Sequence, residues 1–376
     1  MSDTLNQTKS EWKEYKLGDV LTFQRGHDLP KTEMIEGSYP VAGSNGIIGF
    51  HNKYTTKGPG ITIGRSGNIG TPHFYRNDFW AHNTVLYIKD FKGNSELFLF
   101  YFLKTLDFKQ FNTGSAVPSL NRNHIHELFV EIPPLPEQSA IATVLSSLDD
   151  KIDLLHRQNQ TLEALAETLF RQWFVEEAKE EWEEITLYDA IELVGGGTPK
   201  TTVNEYWDGN IKWLSGGDIA GNHKNFVVSS EKSITELGLK NSSAKLLPKL
   251  STVISARGTV GKYSMLSEPM TFSQSNYGIL PKFKDCFFFT YLLVAHSVDE
   301  LQSAAYGSVF DTITTNTFKG LTITLPEEEY IIRFNESMEP YFSKILTNQS
   351  QIRTLTALRD TLLPKLMSGE IRVKMG

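Results

Sequence analysis

Leu162-Glu-Ala-Leu-Ala-Glu-Thr-Leu169 is followed 193 residues later by Leu355-Thr-Ala-Leu-Arg-Asp-Thr-Leu362, a near copy of the same positions. Paired residues farther upstream keep this offset: Gly114-Ser115 with Gly307-Ser308, Asn123 with Asn316, Leu128 with Leu321, and Ile132-Pro133 with Leu325-Pro326. A repeat of this length usually indicates two similar domains. We therefore expect one structural unit that occurs twice, so that the chain carries two separate surfaces.

The two halves differ in length near their beginnings. Each half opens with a tryptophan and a short amphipathic run, Trp12 to Asp19 and Trp182 to Asp189, and here the offset is only 170. The second half must therefore contain about 23 additional residues (193 − 170) inside its first part. This pattern predicts a variable globular part and a constant end in each repeat.

The globular parts combine short β-prone runs with glycine-rich turns. In the first half, residues 84–88 and 129–132 are β-prone, and residues 96–108 form a predicted helix. The second half repeats this pattern, with a predicted helix over residues 288–301. Two copies of one α/β (α+β) domain are expected.

A long helix is predicted after the first globular part. Apolar residues follow one another at alternating steps of four and three, which is the seam of a coiled coil. These seam positions are Ile141, Leu145, Leu148, Ile152, Leu155, Asn159, Leu162, Ala166, Leu169 and Trp173. Prolines before residue 137 set the start, and the helix is expected to run from about Glu137 to about Lys179, roughly 60 Å at ~1.5 Å per residue.

A second seam follows the second globular part. Its positions are Phe334, Met338, Tyr341, Ile345, Asn348, Ile352, Leu355, Arg359, Leu362 and Leu366. Pro340 and Pro364 predict a bend or a break in this helix. An antiparallel pairing of the two helices would place the two domains at opposite ends, in a pseudo-twofold repeat. Asn159 and Asn348 either fix the register of the pair or lie at its solvated rim.

Composition narrows the class of protein. The 376 residues have ordinary globular composition and a single cysteine, Cys286, which excludes an internal disulfide framework. The polar N-terminus and the absence of a long apolar run predict a cytoplasmic protein without a membrane segment. The net charge is −7, yet residues 137–180 alone carry 9 acidic and 4 basic side chains. The two large domains are close to balanced, so each can present a basic face to DNA.

No catalytic or metal-binding signature is present. The stretch from Arg257 to Tyr263 resembles a phosphate-binding loop. However, Ala256 stands where that motif needs its first glycine, and Tyr263 stands where it needs a small hydroxyl residue, serine or threonine. The adenine-binding loop of amino-methyltransferases, Asn/Asp-Pro-Pro-Tyr, does not occur. His124 and His126 lack a third metal ligand at useful spacing, which favours a surface or capping role.

Both halves carry polar groups suited to recognition. Each has a glycine-rich loop with an arginine, followed by a polar cluster; arginine suits guanine or phosphate, and amides suit adenine. The candidate DNA-binding residues are Arg25, Arg65, Ser66, Asn68, His82, Asn83, Lys200, Arg257, Thr259, Lys262, Gln274 and Asn276. The alternative is that these loops are ordinary hairpin turns with solvated polar tips.

The arrangement resembles the specificity (S) subunit of type I restriction-modification systems over nearly the whole chain. Five stretches carry the resemblance: Gly114-Ser-Ala-Val-Pro-Ser-Leu-Asn121, Ile132-Pro-Pro-Leu-Pro-Glu-Gln138, the two repeats that begin at Leu162 and Leu355, and Leu362-Leu-Pro-Lys-Leu-Met-Ser-Gly-Glu-Ile371. The resemblance implies a target recognition domain over residues 1–136, a helix over 137–180, a second domain over 181–326, and a second helix with a tail over 327–376.

The same resemblance implies a non-catalytic reader of double-stranded DNA. Each domain would read one half of a split sequence, while the helices would set the spacing and dock two methyltransferase subunits and the restriction subunits. S-adenosylmethionine, ATP and Mg²⁺ would be cofactors of those partners. The competing hypothesis is a scaffold whose duplicated domains bind protein or carbohydrate without DNA.

Overall fold

The computed structural model describes residues 12–111, 119–306 and 311–373. Contacts divide the chain into two compact units. Unit 1 consists of Met1–Asp153 with Arg353–Gly376, and unit 2 consists of Leu154–Ile352. Each unit thus contains one predicted globular domain and part of each long helix. Residues 114–118 of the first family motif, and Gly307-Ser308, lie outside the described residues.

Unit 1 contains three small sheets and the start of the first long helix. Its strands are β1 (Lys13–Lys16), β2 (Thr22–Arg25), β3 (Tyr39–Gly43), β4 (Gly46–His51), β5 (Gly60–Gly64), β6 (Pro72–Tyr75), β7 (Trp80–Ala81), β8 (Val85–Asp90) and β9 (Phe129–Ile132). Its helices are α1 (Leu17–Val20), α2 (Glu96–Lys104), α3 (Arg122–His126) and the first part of α4 (Leu135–Arg171). The sheet orders are β2-β8-β5-β6, β4-β3-β7 and β1-β9.

Unit 2 repeats this plan with additional elements. Its strands are β10 (Glu183–Thr186), β11 (Ile191–Gly195), β12 (Trp207–Leu214), β13 (Phe226–Val227), β14 (Lys232–Ile234), β15 (Thr252–Ser255), β16 (Tyr263–Leu266), β17 (Thr271–Phe272), β18 (Asn276–Pro281) and β19 (Thr322–Leu325). Its helices are α5 (Leu187–Ala190), α6 (Gly216–Gly221), α7 (Glu236–Lys240), α8 (Phe287–Tyr306), α9 (Thr315–Lys319) and much of α10 (Glu328–Met367). The sheet orders are β11-β18-β15-β16-β13, β14-β12-β17 and β10-β19.

The order of the strands confirms that the domain occurs twice. In each unit a short antiparallel pair joins the first strand to the last, β1 with β9 and β10 with β19. The larger sheets also correspond, since β2-β8-β5-β6 matches β11-β18-β15-β16. Within the described residues, unit 2 differs by an extra edge strand, β13, and by the helices α6 and α7. The mixed α+β class predicted from the sequence is therefore confirmed.

The start of α4 is fixed by two adjacent buried polar residues. Gln138 accepts a hydrogen bond from Ser95 N at 2.9 Å and donates to Asn94 Oδ1 at 2.7 Å, which joins the helix to the residues before α2. The Glu137 carboxylate accepts from Arg372 at 2.6 Å and from Trp12 Nε1 at 3.3 Å. The Glu-Gln pair after the prolines therefore has a structural role, because it connects separate parts of unit 1.

The long helices pair in antiparallel fashion within each unit, as the seams predict. In unit 1, Asp149 accepts from Arg359 at 2.7 Å, while Glu137, earlier in α4, contacts the later residue Arg372. In unit 2, the ring of Trp173 lies 5.1 Å from that of Tyr330. The seam residues that are at most 1% exposed are Ile141, Leu145, Leu155, Ala166, Phe334, Met338, Ile345 and Asn348.

Three predicted helix ends and one predicted break are wrong. Helix α4 continues through a π-helical turn at Gln172–Glu176, which buries Phe174, and it ends there rather than at Lys179. Helix α2 ends at Lys104, because the Thr105 hydroxyl bonds to Phe102 O at 2.7 Å. Helix α8 is longer than predicted, Phe287–Tyr306, and α10 is continuous through Pro340 and Pro364. Both prolines lie on the exposed face of α10, away from the packed seam.

The two seam asparagines form a buried pair in unit 2. Asn348 Nδ2 donates to Asn159 Oδ1 at 2.8 Å, and both side chains are excluded from solvent. Asn159 Nδ2 also lies 3.5 Å from Ile345 O. A sliding of one helix along the other would bury each amide against apolar side chains, which costs free energy. The structure therefore supports the register-fixing role and not the solvated rim.

Substituting the two asparagines singly and together tests whether they act as a coupled pair. The double variant Asn159→Leu/Asn348→Leu is expected to raise the free energy of unfolding by about 1 kcal/mol, because apolar packing replaces a desolvated polar pair. Either single leucine variant leaves one buried amide without its partner, so its free energy of unfolding should fall by about 1 to 3 kcal/mol. Urea unfolding of the unmodified chain, the two single variants and the double variant measures these free energies, with the exposed substitution Gln160→Leu as the control. Additive effects of the two single changes would contradict a coupled pair.

Candidate nucleic-acid interface

Two glycine-rich loops, one in each unit, share a backbone conformation. Loop A1 covers residues 64–71 after β5, and loop A2 covers residues 255–262 after β15. The Gly70 amide donates to Gly64 O at 2.8 Å, and the Gly261 amide donates to Ser255 O at 2.9 Å. Glycines with φ between 76° and 80° occur at the same two places of both loops: Gly67, Gly70, Gly258 and Gly261. Other residues are strained at such φ values, so glycine determines this shape.

A second segment lies beside each loop. Segment B1 covers residues 82–85 and segment B2 covers residues 273–276. The Arg65 amide donates to Thr84 O at 2.8 Å, and the Ala256 amide donates to Ser275 O at 3.0 Å. The same pattern of main-chain bonds therefore positions both pairs of segments, as two chemically different versions of one site.

The arginines of the two loops do not occupy equivalent places. By their main-chain bonds, Arg65 corresponds to Ala256, and Arg257 therefore corresponds to Ser66. The offset between the loops is 191, not the 193 that holds farther along the chain. Each loop carries an arginine, as predicted, but the side chains leave the loops from adjacent positions.

The close approach of a third strand completes each site. A Cβ added at Gly26, just after β2, would lie 2.0 Å from His82 O, and one added at Gly196, just after β11, would lie 2.1 Å from Ser273 O. No side chain fits at such distances, so both glycines are required where the strand end packs against segment B1 or B2.

In unit 1, the six predicted residues all lie on loop A1, on segment B1 or at the end of β2. The Arg65 guanidinium donates to Asn83 O at 3.2 Å and is half-buried. Asn83 Nδ2 donates to Asp28, which also pairs with exposed Arg25 at 3.5 Å. His82 Nδ1 lies 3.0 Å from the Thr84 hydroxyl within segment B1. The remaining two, Ser66 and Asn68, belong to loop A1; Ser66 is half-buried next to Arg65, and Asn68 is exposed near the loop tip.

In unit 2, apart from the two lysines, two of the predicted residues are exposed, one is half-buried and one is buried. Arg257 and Gln274 are exposed on loop A2 and segment B2. Thr259 Oγ1 instead bonds to Ser255 Oγ at 2.8 Å. Asn276 is only 1% exposed and donates to Ser273 Oγ at 2.8 Å. Asn276 therefore supports the site from inside, while the half-buried Thr259 directs its hydroxyl to Ser255 and to Gly216 O.

The two predicted lysines of unit 2 lie on different segments. Lys200 is exposed in the loop that follows Gly196 and Gly197, and its carbonyl accepts from Trp207 Nε1 at 3.3 Å. Lys262, at the end of loop A2, lines a cavity of about 560 Å³ together with Arg171 and Lys224. The basic groups of unit 2 are thus distributed over several places.

Two pKa values are shifted beside this cavity. Lys224 pairs with Glu167 at 3.0 Å. Burial, reinforced by the negative charge of Glu167, raises the pKa of Glu163 to about 7. Burial and the nearby charge of Lys262 lower the pKa of His223. Burial thus favours the neutral forms of both Glu163 and His223.

Sequence reasoning missed Ser44. Its hydroxyl lies 2.7 Å from Ser66 O and 2.8 Å from Thr84 O, so it joins the β3–β4 turn to both loop A1 and segment B1. The signal was the turn Gly43-Ser-Asn-Gly46, which marks a tight hairpin. Its contact partners come from distant parts of the chain, which a turn motif does not reveal.

The two histidines of the pair differ in their surroundings. His126 Nε2 accepts the Phe23 amide at 3.0 Å, and its ring stacks on that of Phe23. His124 is exposed, as the expected surface role requires. Over residues 12–111, 119–306 and 311–373, no group of three or more His, Cys, Asp or Glu is placed to hold a metal ion. No helix among those residues is long and apolar enough to cross a membrane.

Comparison with known proteins identifies the family. The model of the type I restriction modification DNA specificity domain matches residues 9–164 and 179–354. The chain is 24% identical over 463 residues to the HindI specificity subunit of Haemophilus influenzae, with 96% of this chain and 100% of that protein covered. It is 26% identical over 302 residues to the MjaIX specificity subunit of Methanocaldococcus jannaschii, with 74% and 69% covered.

The fold comparison agrees. A crystal structure of the type I restriction-modification S subunit from M. genitalium matches with a TM-score of 0.70 at 16% identity, with 99% of both chains covered. At that identity the likeness concerns the fold alone. The family model, by contrast, covers both repeats and thus most of the chain. The chain therefore belongs to the family defined by the type I restriction modification DNA specificity domain.

Proposed function

We propose that the two units each read one half of a bipartite double-stranded DNA target. The observation that supports this is the pair of loops A1 and A2, which share their main-chain bonds and glycine positions but differ in their side chains. A common backbone presents side chains at equivalent places, while different side chains select different bases. Duplicated frames with divergent surfaces suit the reading of two unlike half-sites.

The exposed groups have the chemistry of base recognition. Arg257 has a planar fork of donors that matches O6 and N7 of guanine, and the amide of Gln274 matches N6 and N7 of adenine. In unit 1, Asn83 corresponds to Gln274, but its amide is held by Asp28. Unit 1 is therefore proposed to use a more rigid amide at this place, which reduces the entropy lost on binding.

The long helices are proposed to set the spacing between the half-sites and to dock the partner subunits. Both helices contribute residues to both units, so the helical segments link the two readers. Two methyltransferase subunits and the restriction subunits would supply the chemistry, with S-adenosylmethionine, ATP and Mg²⁺ as their cofactors, in the cytoplasm. This part of the proposal rests on membership of the family.

Genome-wide methylation tests the proposal. The chain is co-expressed with a cognate methyltransferase subunit, and methylated adenines are mapped; a single split motif is expected. Replacing residues 11–136 by the same region of a relative should change one half of the motif and leave the other intact. Replacing residues 181–326 is the matched control and should change the opposite half. A complex that assembles but methylates without sequence preference would contradict the proposal.

A further inference from the structure

The β3–β4 hairpin of unit 1 exposes neighbouring apolar side chains. Ile47, Ile48 and Phe50 on β4 are 55%, 47% and 51% exposed. The register of the hairpin shifts between Val41 and Ala42, so that one extra residue is accommodated on β4. A bulge interrupts the alternation of side chains, which explains why two consecutive isoleucines are both exposed. β4 is an edge strand, where exposed apolar groups are normally avoided.

The hairpin is connected directly to the candidate interface. Ile48 lies over Gly43, because a Cβ added at Gly43 would be 2.5 Å from Ile48 Cγ2. The next residue, Ser44, bonds to loop A1 and to segment B1. The amide of His82 in segment B1 donates to Ala42 O on β3 at 3.0 Å. The isoleucines therefore border the same surface as the loop and the segment.

Charge distinguishes a nucleic-acid ligand from a protein ligand at this place. From Gly37 to Asn77 the sequence contains no aspartate or glutamate, although the whole chain has 44 of them. The same stretch contains Lys53, Lys57, Arg65 and Arg76, of which Arg76 pairs with Asp150 outside the stretch. It includes the hairpin, β5 and loop A1. An apolar surface inside an acid-free, basic stretch of an otherwise acidic protein complements DNA, whose phosphates repel carboxylates.

Unit 2 has a different element in the place of the hairpin. His27 and Gly197 are equivalent positions, 170 residues apart, because their amides donate to the equivalent carbonyls of Ala81 and Phe272. Loops A1 and A2, by contrast, are 191 residues apart. About 21 of the extra residues of unit 2 (191 − 170) therefore lie between Gly197 and loop A2. There, β12 leads into α6 through a capping box formed by Ser215 and Asp218, and the edge strand β14 begins with exposed Lys232. The apolar hairpin is thus particular to unit 1.

We infer that the β3–β4 hairpin is a third reading element of unit 1, in which Ile47 and Ile48 contact the 5-methyl groups of thymines in the major groove. The inference rests on the proposed function and deepens it. Apolar side chains recognise thymine through that methyl group, the one apolar feature among the base edges of the major groove. Unit 1 would then combine polar reading by loop A1 and segment B1 with apolar reading by the hairpin.

Deoxyuridine, which is thymine without its methyl group, provides the test. The full chain in complex with its methyltransferase is measured for binding to the target duplex, with each thymine of the half-site read by unit 1 replaced in turn. At one or more of these positions, binding by the unmodified chain should weaken about threefold to fivefold, since one buried methylene contributes about 0.8 kcal/mol. Ile47→Ser/Ile48→Ser should bind thymine DNA more weakly and no longer distinguish it from deoxyuridine DNA.

The control is Leu237→Ser, which removes a comparably exposed apolar side chain from unit 2 and should keep the discrimination. Ile47→Val/Ile48→Val keeps an apolar surface and should keep most of it. Equal discrimination by the serine variant, or no effect of deoxyuridine on the unmodified chain, would overturn the inference. So would loss of methyltransferase assembly in the serine variant, which would assign the hairpin to a protein partner. If only the hairpin inference fails, the complex still methylates with a sequence preference. If the proposed function fails, that sequence preference is absent.

Discussion

Replacing Arg257 with alanine is expected to reduce methylation at the target about tenfold to a hundredfold, because a good bidentate contact between a side chain and a base contributes about 1 to 3 kcal/mol of discrimination. Arg257 is exposed on loop A2, as Gln274 is on segment B2, and the main-chain carbonyl of Arg257 accepts the Ser255 hydroxyl at 3.2 Å. The loss should concern one base pair of the half-site read by unit 2. A methylation map of the variant, compared at every motif position, measures it.

Two companion substitutions sharpen this prediction. Arg257→Lys keeps the charge but lacks the planar fork, so it should recover binding only in part. Ser66→Ala alters the equivalent place of loop A1 and should leave the half-site of unit 2 unchanged. If Arg257→Ala weakened all sequences equally and reduced the salt dependence of binding, Arg257 would contact phosphate and the prediction would be wrong.

Replacing Glu137 with alanine should destabilise unit 1 by about 3 kcal/mol. The carboxylate is 1% exposed and accepts two hydrogen bonds from Arg372, at 2.9 and 2.6 Å, and one from Trp12. Breaking a buried ion pair leaves its partner uncompensated, which typically costs about 3 to 5 kcal/mol. We place this effect at the lower end because the Arg372 side chain is 31% exposed.

Hydrogen exchange, followed separately in the two units during urea unfolding, measures this effect. Glu137→Gln retains a hydrogen-bond acceptor without the charge, so the stability of its unit 1 should lie between those of the unmodified chain and of Glu137→Ala. Asp153→Ala, at an exposed position of the same helix, should change the stability by less than about 0.5 kcal/mol. A destabilisation of unit 2 equal to that of unit 1 would show that Glu137 does not act through the contacts described here.

The helices were the most predictable part of the molecule. A seam with steps of four and three specifies which side chains must be buried together, and Ile141, Leu145 and Ile345 are buried as that rule requires. The ends of the helices depend on other contacts. The π-helical turn that ends α4 buries Phe174 among the rings of Phe289 and Phe334. Those partners are far away in the sequence, so no local pattern indicates the turn.

The candidate interface could be predicted only as a set of loops. Glycine-rich turns after strands indicated where recognition groups cluster, and loop A1 and segment B1 do lie together. The direction of individual side chains could not be derived, because it depends on the long-range bonds that hold each loop. The Asn276 side chain, for example, is buried and donates to Ser273. Arg257 lies at the position of loop A2 that is equivalent to Ser66 in loop A1, and not to Arg65. The roles of the candidate residues in DNA binding stay predictions.

Loops A1 and A2 have a consequence for how new specificities arise. Their shape depends on glycines and on main-chain hydrogen bonds, so the exposed side chains between them make little contribution to folding. Surface substitutions of this kind usually change stability by less than about 0.5 kcal/mol. Mutations at places such as that of Ser66 and Arg257 can therefore accumulate without unfolding the protein. A lineage can in this way acquire a new methylation pattern by small steps, and each half of the target can evolve independently of the other.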